Sequence, residues 1–359
     1  MKIESIDFAS VKMPLKEPYD IAYETVSEIE NIFIRIQLDN GIVGYGSTAP
    51  DLEVTGETPG QVLEDVEEII KPILMNEDPL RYSFHLSKLK DILTNKPSTL
   101  ALADTVLFDL LGKICRQPVY KIFGAFKKKM ATSVTIGILP MEETILRAKY
   151  YLGEGFRILK IKGGKDVQED IRKINRIRKE VGNNIKLRFD ANQGYTINET
   201  FMFFEGVKES NVEILEQPTP RNQPDSLGKF TENLGILIMA DESLLTLRDV
   251  FSLVQKKLVD TVNIKLMKVG GIQEALHINS VAKSANVHCM IGCMDESALS
   301  IAAGLHFALA KPNVIYADLD GHIDLLNDPA AGAVRLKNGF IYPTGGNGLG
   351  FDLPDKIFN

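Results

Sequence analysis

The chain has 359 residues, 44% hydrophobic and 25% charged, with a net charge of −7. That balance fits a globular protein of two domains, or one large barrel with an accessory domain. It lacks the basic footprint of a nucleic-acid binder, and no apolar run reaches the ~18 residues that span a bilayer, so neither nucleic acid nor membrane is expected as a partner. Cys115, Cys289 and Cys293 form no disulfide framework and lack CxxC spacing. The start, Met1-Lys2-Ile3-Glu4-Ser5, has no signal-peptide core. A cytoplasmic location is expected.

Residues 1–50 read as antiparallel strands. Ile32 to Leu38 alternates, Asp39-Asn40-Gly41 supplies a hairpin turn, and Ile42 to Gly46 returns. The polar stretch Lys16 to Glu30 has no period and reads as a loop. A second loop, Thr48 to Gly56, leads into Thr58-Pro59 and a helical pattern through Ile73, followed by helical patterns over 80–94 and 98–115. Residues 1–125 are therefore predicted to be an α+β capping domain.

From Thr132 the texture changes to short apolar runs: Ser133–Ile138, Arg157–Lys162, Lys186–Asp190, Val212–Gln217, Gly235–Asp241, Asp260–Lys265, Val287–Gly292 and Asn313–Asp318. Amphipathic stretches such as Glu142–Leu152, Val167–Val181 and Gln273–Ala285 lie between them. Strand and helix alternating eight times over roughly 190 residues predict a (β/α)8-type barrel, shorter than the ~250 residues typical of one. Its span is 126–325. The rival, a doubly wound sheet, wants a GxGxxG after the first run, and none is present. The Gly- and Pro-rich residues 326–359 are expected to return to the first domain.

Catalytic groups in such a barrel sit at the C-terminal ends of the strands. The second run ends in Lys160-Ile161-Lys162, and residues two apart on a strand share a face. Two enclosed ammonium groups repel each other and resist desolvation, which lowers a lysine pKa towards that of a base. A solvated edge strand is the alternative. The third, fourth and fifth runs deliver Asp190, Glu216 and Asp241 to the same rim. Each acid alone could be a helix cap or a rim ion pair. Three together oppose one another's ionisation, and an all-oxygen donor set calls for Mg2+ rather than zinc. The sixth run supplies Lys265, opposite the second run across the barrel. A substrate carboxylate on Mg2+ would place its α-carbon between Lys162 and Lys265. One lysine could then remove a proton from one face while the other returns one to the opposite face of an enediolate.

At Lys160-Ile161-Lys162, Asp190-Ala191-Asn192, Glu216-Gln217-Pro218, Asp241-Glu242-Ser243 and Asn263-Ile264-Lys265, the chain resembles the enolase superfamily in its muconate-lactonizing-enzyme-like subgroup. The resemblance covers the whole length. It implies an N-terminal capping domain completed by the C-terminal segment, with one Mg2+ per subunit held by Asp190, Glu216 and Asp241. It further implies that Lys162 and Lys265 are the acid/base pair and Lys160 an electrostatic helper. Lys268 is left structural. Family members often form symmetric assemblies, so a homo-oligomer is expected.

Asp318-Leu319-Asp320, ending the eighth run, looks like the dipeptide epimerases, where such a pair binds the substrate α-ammonium by charge-assisted hydrogen bonds. A strand end capping the next turn is the alternative. The epimerases that act on Ala-Glu use an arginine on a first-domain loop, and this chain has Glu24 in the corresponding segment, Ala22 to Val26. Glu24, Asp51, Glu53 and Asp295 could instead line a pocket for lysine or arginine side chains, or remain solvated loop carboxylates. Thr135 of the first run joins the substrate-binding candidates. Among His85, His277, His288, His306 and His322, none falls at these strand ends; Met290 and Met294 read as barrel packing. The leading expectation is a Mg2+-dependent dipeptide epimerase with cationic preference. N-succinylamino-acid racemase, o-succinylbenzoate synthase and muconate cycloisomerase activities are alternatives within the superfamily, and a non-catalytic peptide-binding barrel is an alternative of another class.

Overall fold

The computed structural model describes residues 1–20 and 25–359. Three antiparallel strands, β1 (Ile3–Asp20), β2 (Thr25–Leu38) and β3 (Val43–Thr48), pair in sequence order. The Asp39–Gly41 turn closes the second hairpin, with Gly41 at φ +83° and the Leu38 amide donating to Ile42. The loop expected over Lys16–Glu30 is instead strand on both sides of the undescribed residues. Lys12 faces Glu30, Tyr19 faces Val26 and Asp20 faces Thr25. The polar residues Lys16, Glu17, Glu28 and Glu30 interrupt the apolar alternation here, while the backbone ladder continues. Pro14 and Pro18 fit because β1 is an edge strand of its sheet.

Helices follow at Pro59–Leu74, Tyr82–Ile92 and Pro97–Ile114, the first opened by a Thr58/Gln61 capping box and the last capped by Glu57, which accepts from the Ser98 and Thr99 amides. The helix Pro97–Ile114 lies against β3 so closely that a Cβ on Gly46 would sit 2.9 Å from the Val106 nitrogen. Near its middle, Asp104 accepts from the Ile272 and Gln273 amides, capping a barrel helix from the other domain.

After the short β4 (Met130–Ala131), eight parallel strands form one sheet: β5 (Val134–Ile136), β6 (Ile158–Lys162), β7 (Lys186–Asp190), β8 (Val212–Glu216), β9 (Leu237–Ala240), β10 (Thr261–Lys265), β11 (His288–Gly292) and β12 (Val314–Ala317). Each lies inside a run predicted from sequence. The sheet curls until first and last strands meet, with the Ser133 amide donating to Ala317 at 3.1 Å. The chain then returns. Segment 324–326 bonds to β1 at Lys16 and Pro14, and β13 (Val334–Lys337) pairs with β14 (Phe340–Pro343), which pairs with β4. Beyond them Arg35 bonds Asp355 at 2.8 Å and Tyr45 stacks on Phe358.

Asp109, fully buried, anchors this return. It accepts from the amides of Tyr45 on β3 and Leu349 in the C-terminal segment, and Lys113 lies 2.9 Å away. Asp109→Ala leaves both amides without acceptors and should lower the unfolding free energy by about 2–4 kcal/mol. Urea denaturation checks this; an unchanged midpoint would remove the anchoring role.

Candidate active site

Strand period decides which side chains meet at the barrel mouth. A lower interior layer holds Ile214, Met239 and Met290, with Tyr316 against them and Arg188 stacked on Tyr316 at 5.1 Å. Two residues further along the same strands stand Asp190, Glu216, Asp241, Gly292 and Asp318. The same parity on β6 and β10 points Lys160, Lys162, Asn263 and Lys265 inward. Gly292 is required there, because a Cβ would lie 2.4 Å from the Asn263 side-chain oxygen.

Lys160 is 2% exposed, with its ammonium 3.0 Å from Asp190, 2.9 Å from Glu216 and 3.0 Å from Asp318. The lowered pKa expected for it from a neighbouring ammonium is not what the site produces. Burial opposes its charge, but Asp190, Asp318 and Glu216 together raise its pKa well above the ordinary value. Lys162, on the same strand, is 3.9 Å from Asp190 and more open, its side chain 31% exposed. On the far side, Lys265 sits 2.9 Å from Asp241. Burial would lower its pKa too, yet Asp241 prevails and raises it. Lys268 also reaches this site, bonding the Asp241 carboxylate and, at 2.6 Å, its carbonyl oxygen.

Asp190, Glu216 and Asp241 are all buried, and their ligand atoms lie within 4.8 Å of one another. Oxygens trans to each other around octahedral Mg2+ stand about 4.2 Å apart, so modest side-chain rotation closes the set. Asp190 Oδ2 is buried and makes no well-aligned hydrogen bond, meeting the Lys160 ammonium at 3.0 Å as an ion pair, so it can still offer a lone pair to a cation. Asn263 donates to Glu216 at 2.8 Å, fixing that carboxylate from below. Burial, with Asp190 and Asp241 nearby, outweighs Lys160 and pushes Glu216 up to about 8. The donor chemistry fits Mg2+.

The remaining predicted residues distribute unevenly. Asp318 accepts from Ser133 at 2.6 Å besides holding Lys160, and Asp320 accepts from the Thr135 amide at 2.6 Å. These two acids and Thr135 therefore share one side of the mouth. Asp295 is half-buried just past β11, and its charge acts on the neighbouring Glu296. Asp51 caps its own loop by accepting from the Glu53 and Val54 amides, and Glu53 is exposed. Glu24 lies outside the described residues. Met290 packs in the barrel interior as expected. Sequence alone missed Ser133, Asn263 and Lys268. The first two were within reach of the alternation rule, lying two residues before Thr135 and Lys265. It also missed Glu296, 4% exposed with one oxygen lacking a donor.

A family model described as enolase C-terminal domain-like matches residues 143–357, and one for the mandelate racemase/muconate lactonizing enzyme N-terminal domain matches residues 3–124. The chain is 40% identical to an L-Lys-D/L-Arg epimerase of Desulforapulum autotrophicum, over 98% of this chain and 99% of that one. It is 35% identical to an L-Ala-D/L-Glu epimerase of Bacillus subtilis, over 98% and 96%. The crystal structure of a dipeptide epimerase from Methylococcus capsulatus, complexed with Mg and L-Arg-D-Lys, matches with a TM-score of 0.94 at 36% identity, covering 98% of this chain and 99% of that one.

Below about pH 8 a proton on Glu216 competes with a cation for the site. Mg2+ binding to the metal-free protein should therefore release a proton and tighten about tenfold per pH unit from 6 to 8, levelling off above. Calorimetry in two buffers of different ionisation enthalpy measures both; pH-independent affinity across that range would contradict it.

Proposed function

The chain belongs to the mandelate racemase/muconate lactonizing enzyme family of the enolase superfamily, and from that premise we propose that it is a Mg2+-dependent dipeptide epimerase, an isomerase inverting the α-carbon of a dipeptide's C-terminal residue by 1,1-proton transfer. The observation behind this is the placing of two amines, Lys162 on β6 and Lys265 on β10, on either side of the carboxylates presented by β7, β8 and the end of β9. Mg2+ held by Asp190, Glu216 and Asp241 supplies positive charge at the substrate carboxylate and so acidifies the α-proton. One lysine accepts that proton at its Nζ, and the other delivers one from its Nζ to the opposite face. Lys160, kept charged by Asp190, Asp318 and Glu216, adds positive potential without exchanging a proton.

Asp318 and Asp320 take the substrate α-ammonium, which succinylated substrates lack. The side-chain preference is for lysine- or arginine-containing dipeptides. Asp295 at the mouth supports it, as do Glu24 in place of an arginine and the similarity to epimerases named for Lys and Arg. The expected homo-oligomeric state and cytoplasmic location belong to the same proposal.

Incubation with a dipeptide library in D2O should incorporate deuterium at the α-carbon, read by mass. No incorporation into any dipeptide would sink the assignment, and turnover of N-succinyl amino acids alone would replace it with a racemase. Lys162→Ala and Lys265→Ala should each slow epimerisation by about 10²–10⁴-fold while leaving Mg2+ binding in place; an unchanged rate in either variant would point to a different base.

Asp295→Leu should lower kcat/KM for cationic dipeptides about threefold to tenfold relative to neutral ones, the effect of one partly buried charge-assisted contact. Selectivity that stays constant would refute the cationic role of Asp295 and leave the epimerase assignment standing.

A further inference from the structure

Gln217 follows Glu216 and has no role in the chemistry above, yet it is completely buried and its backbone adopts the left-handed conformation, φ +32°. L-residues enter that region at a cost, and such residues cluster at functional sites. Its side-chain oxygen accepts from the Asp241 amide at 3.0 Å and the Ser243 amide at 3.1 Å. Its side-chain nitrogen donates to the Thr219 carbonyl and the Ser243 hydroxyl, both at 2.9 Å. Two amides on one end and a carbonyl on the other allow only one orientation of the side-chain amide. Its backbone is engaged as well, donating to Met239 at 2.9 Å and accepting from Gln193 at 2.8 Å. One residue therefore ties the loop after β7 and the ends of β8 and β9 together beside Glu216 and Asp241.

We infer that Gln217 is a positioning residue for the metal centre: its amide holds the backbone of Asp241 against that of Glu216 and so sets the spacing of these two carboxylates before an ion arrives. A glutamate in its place would keep an acceptor for the two amides and lose the donor to Thr219, while adding a charge beside Asp241. Methionine would fill the same volume with no donor and only a weak sulfur acceptor. This rests on the Mg2+ reading of the site and on nothing about which dipeptide is used.

The test is direct Mg2+ titration of Gln217→Met by calorimetry, beside the native protein. The expected result is Mg2+ affinity weakened about 10–100-fold, the usual range when a group that orients a ligand is removed, with kcat at saturating Mg2+ within about threefold of native. A folded Gln217→Met protein with native affinity overturns the inference, as does a fall in kcat at saturating Mg2+ with affinity intact. Should Gln217→Met fail to fold, Ser243→Ala, which deletes the hydroxyl from the same network, should weaken Mg2+ binding about threefold, and unchanged binding there overturns the inference equally. A native protein that binds no Mg2+ at all instead defeats the functional proposal, so the two failures are told apart.

Discussion

Four carboxylates, Asp190, Glu216, Asp241 and Asp318, stand together at the barrel mouth, none more than 4% exposed. Buried like charges at such distances raise one another's pKa unless something positive intervenes. The protein answers with lysines fixed by the sheet: Lys160 among Asp190, Glu216 and Asp318, and Lys265 with Lys268 on Asp241. The compensation is uneven. Asp241, with two ammonium groups against it, is held below the ordinary carboxylate range despite its burial, while Glu216 is pushed up. Glu216 and Asp190 share the single ammonium of Lys160 with Asp318, and a cation would complete the balance there. The charges that hold the free site together are thus those that prepare it for an ion and an anionic substrate group.

That balance depends on a scaffold that keeps the strand ends in register. Lys162 pairs with Asp190 and Asp190 with Glu216 across adjacent strands, so spacings at the mouth are inherited from the hydrogen-bond ladder. The loops beyond the strands are tight: a Cβ on Gly164, at φ +98°, would sit 2.1 Å from the Ala191 carbonyl. The two domains share ends as well, Asp104 capping a barrel helix and Asp109 holding the C-terminal segment. Side chains of the first domain therefore satisfy backbone amides of a barrel helix and of the C-terminal segment.

Much of this was legible in the chain. The eight strands and the helices named from sequence follow from periodicity and turn residues, because a barrel strand buried on both faces shows itself as a short apolar run. The loop read over Lys16–Glu30 failed for the complementary reason: this hairpin arm is held by its backbone ladder, which any residue can supply, so its mostly polar sequence leaves no apolar pattern to read. Lys268, three residues past Lys265, lay off the strand's alternation, and only the short helix after β10 turns it back onto Asp241. The lowered lysine pKa expected at Lys160 failed because the adjacent ammonium was visible in sequence, whereas the three acids around it come from three other strands.

The sequence by itself selected the principal charged groups of the mouth. Strand parity and the rule that catalytic residues end barrel strands depend only on local spacing, and they sufficed to select the lysines of β6 and β10 and the acids of β7 to β9. Tertiary structure alone decided what those groups do to one another. Whether an amine is held charged by carboxylates or left open, which acid is pushed up, and that Gln217 links the loop after β7 to the ends of β8 and β9 all depend on distances between residues far apart in the chain. Electrostatic and hydrogen-bond energies vary steeply with such distances and with burial, and neither is written in local order.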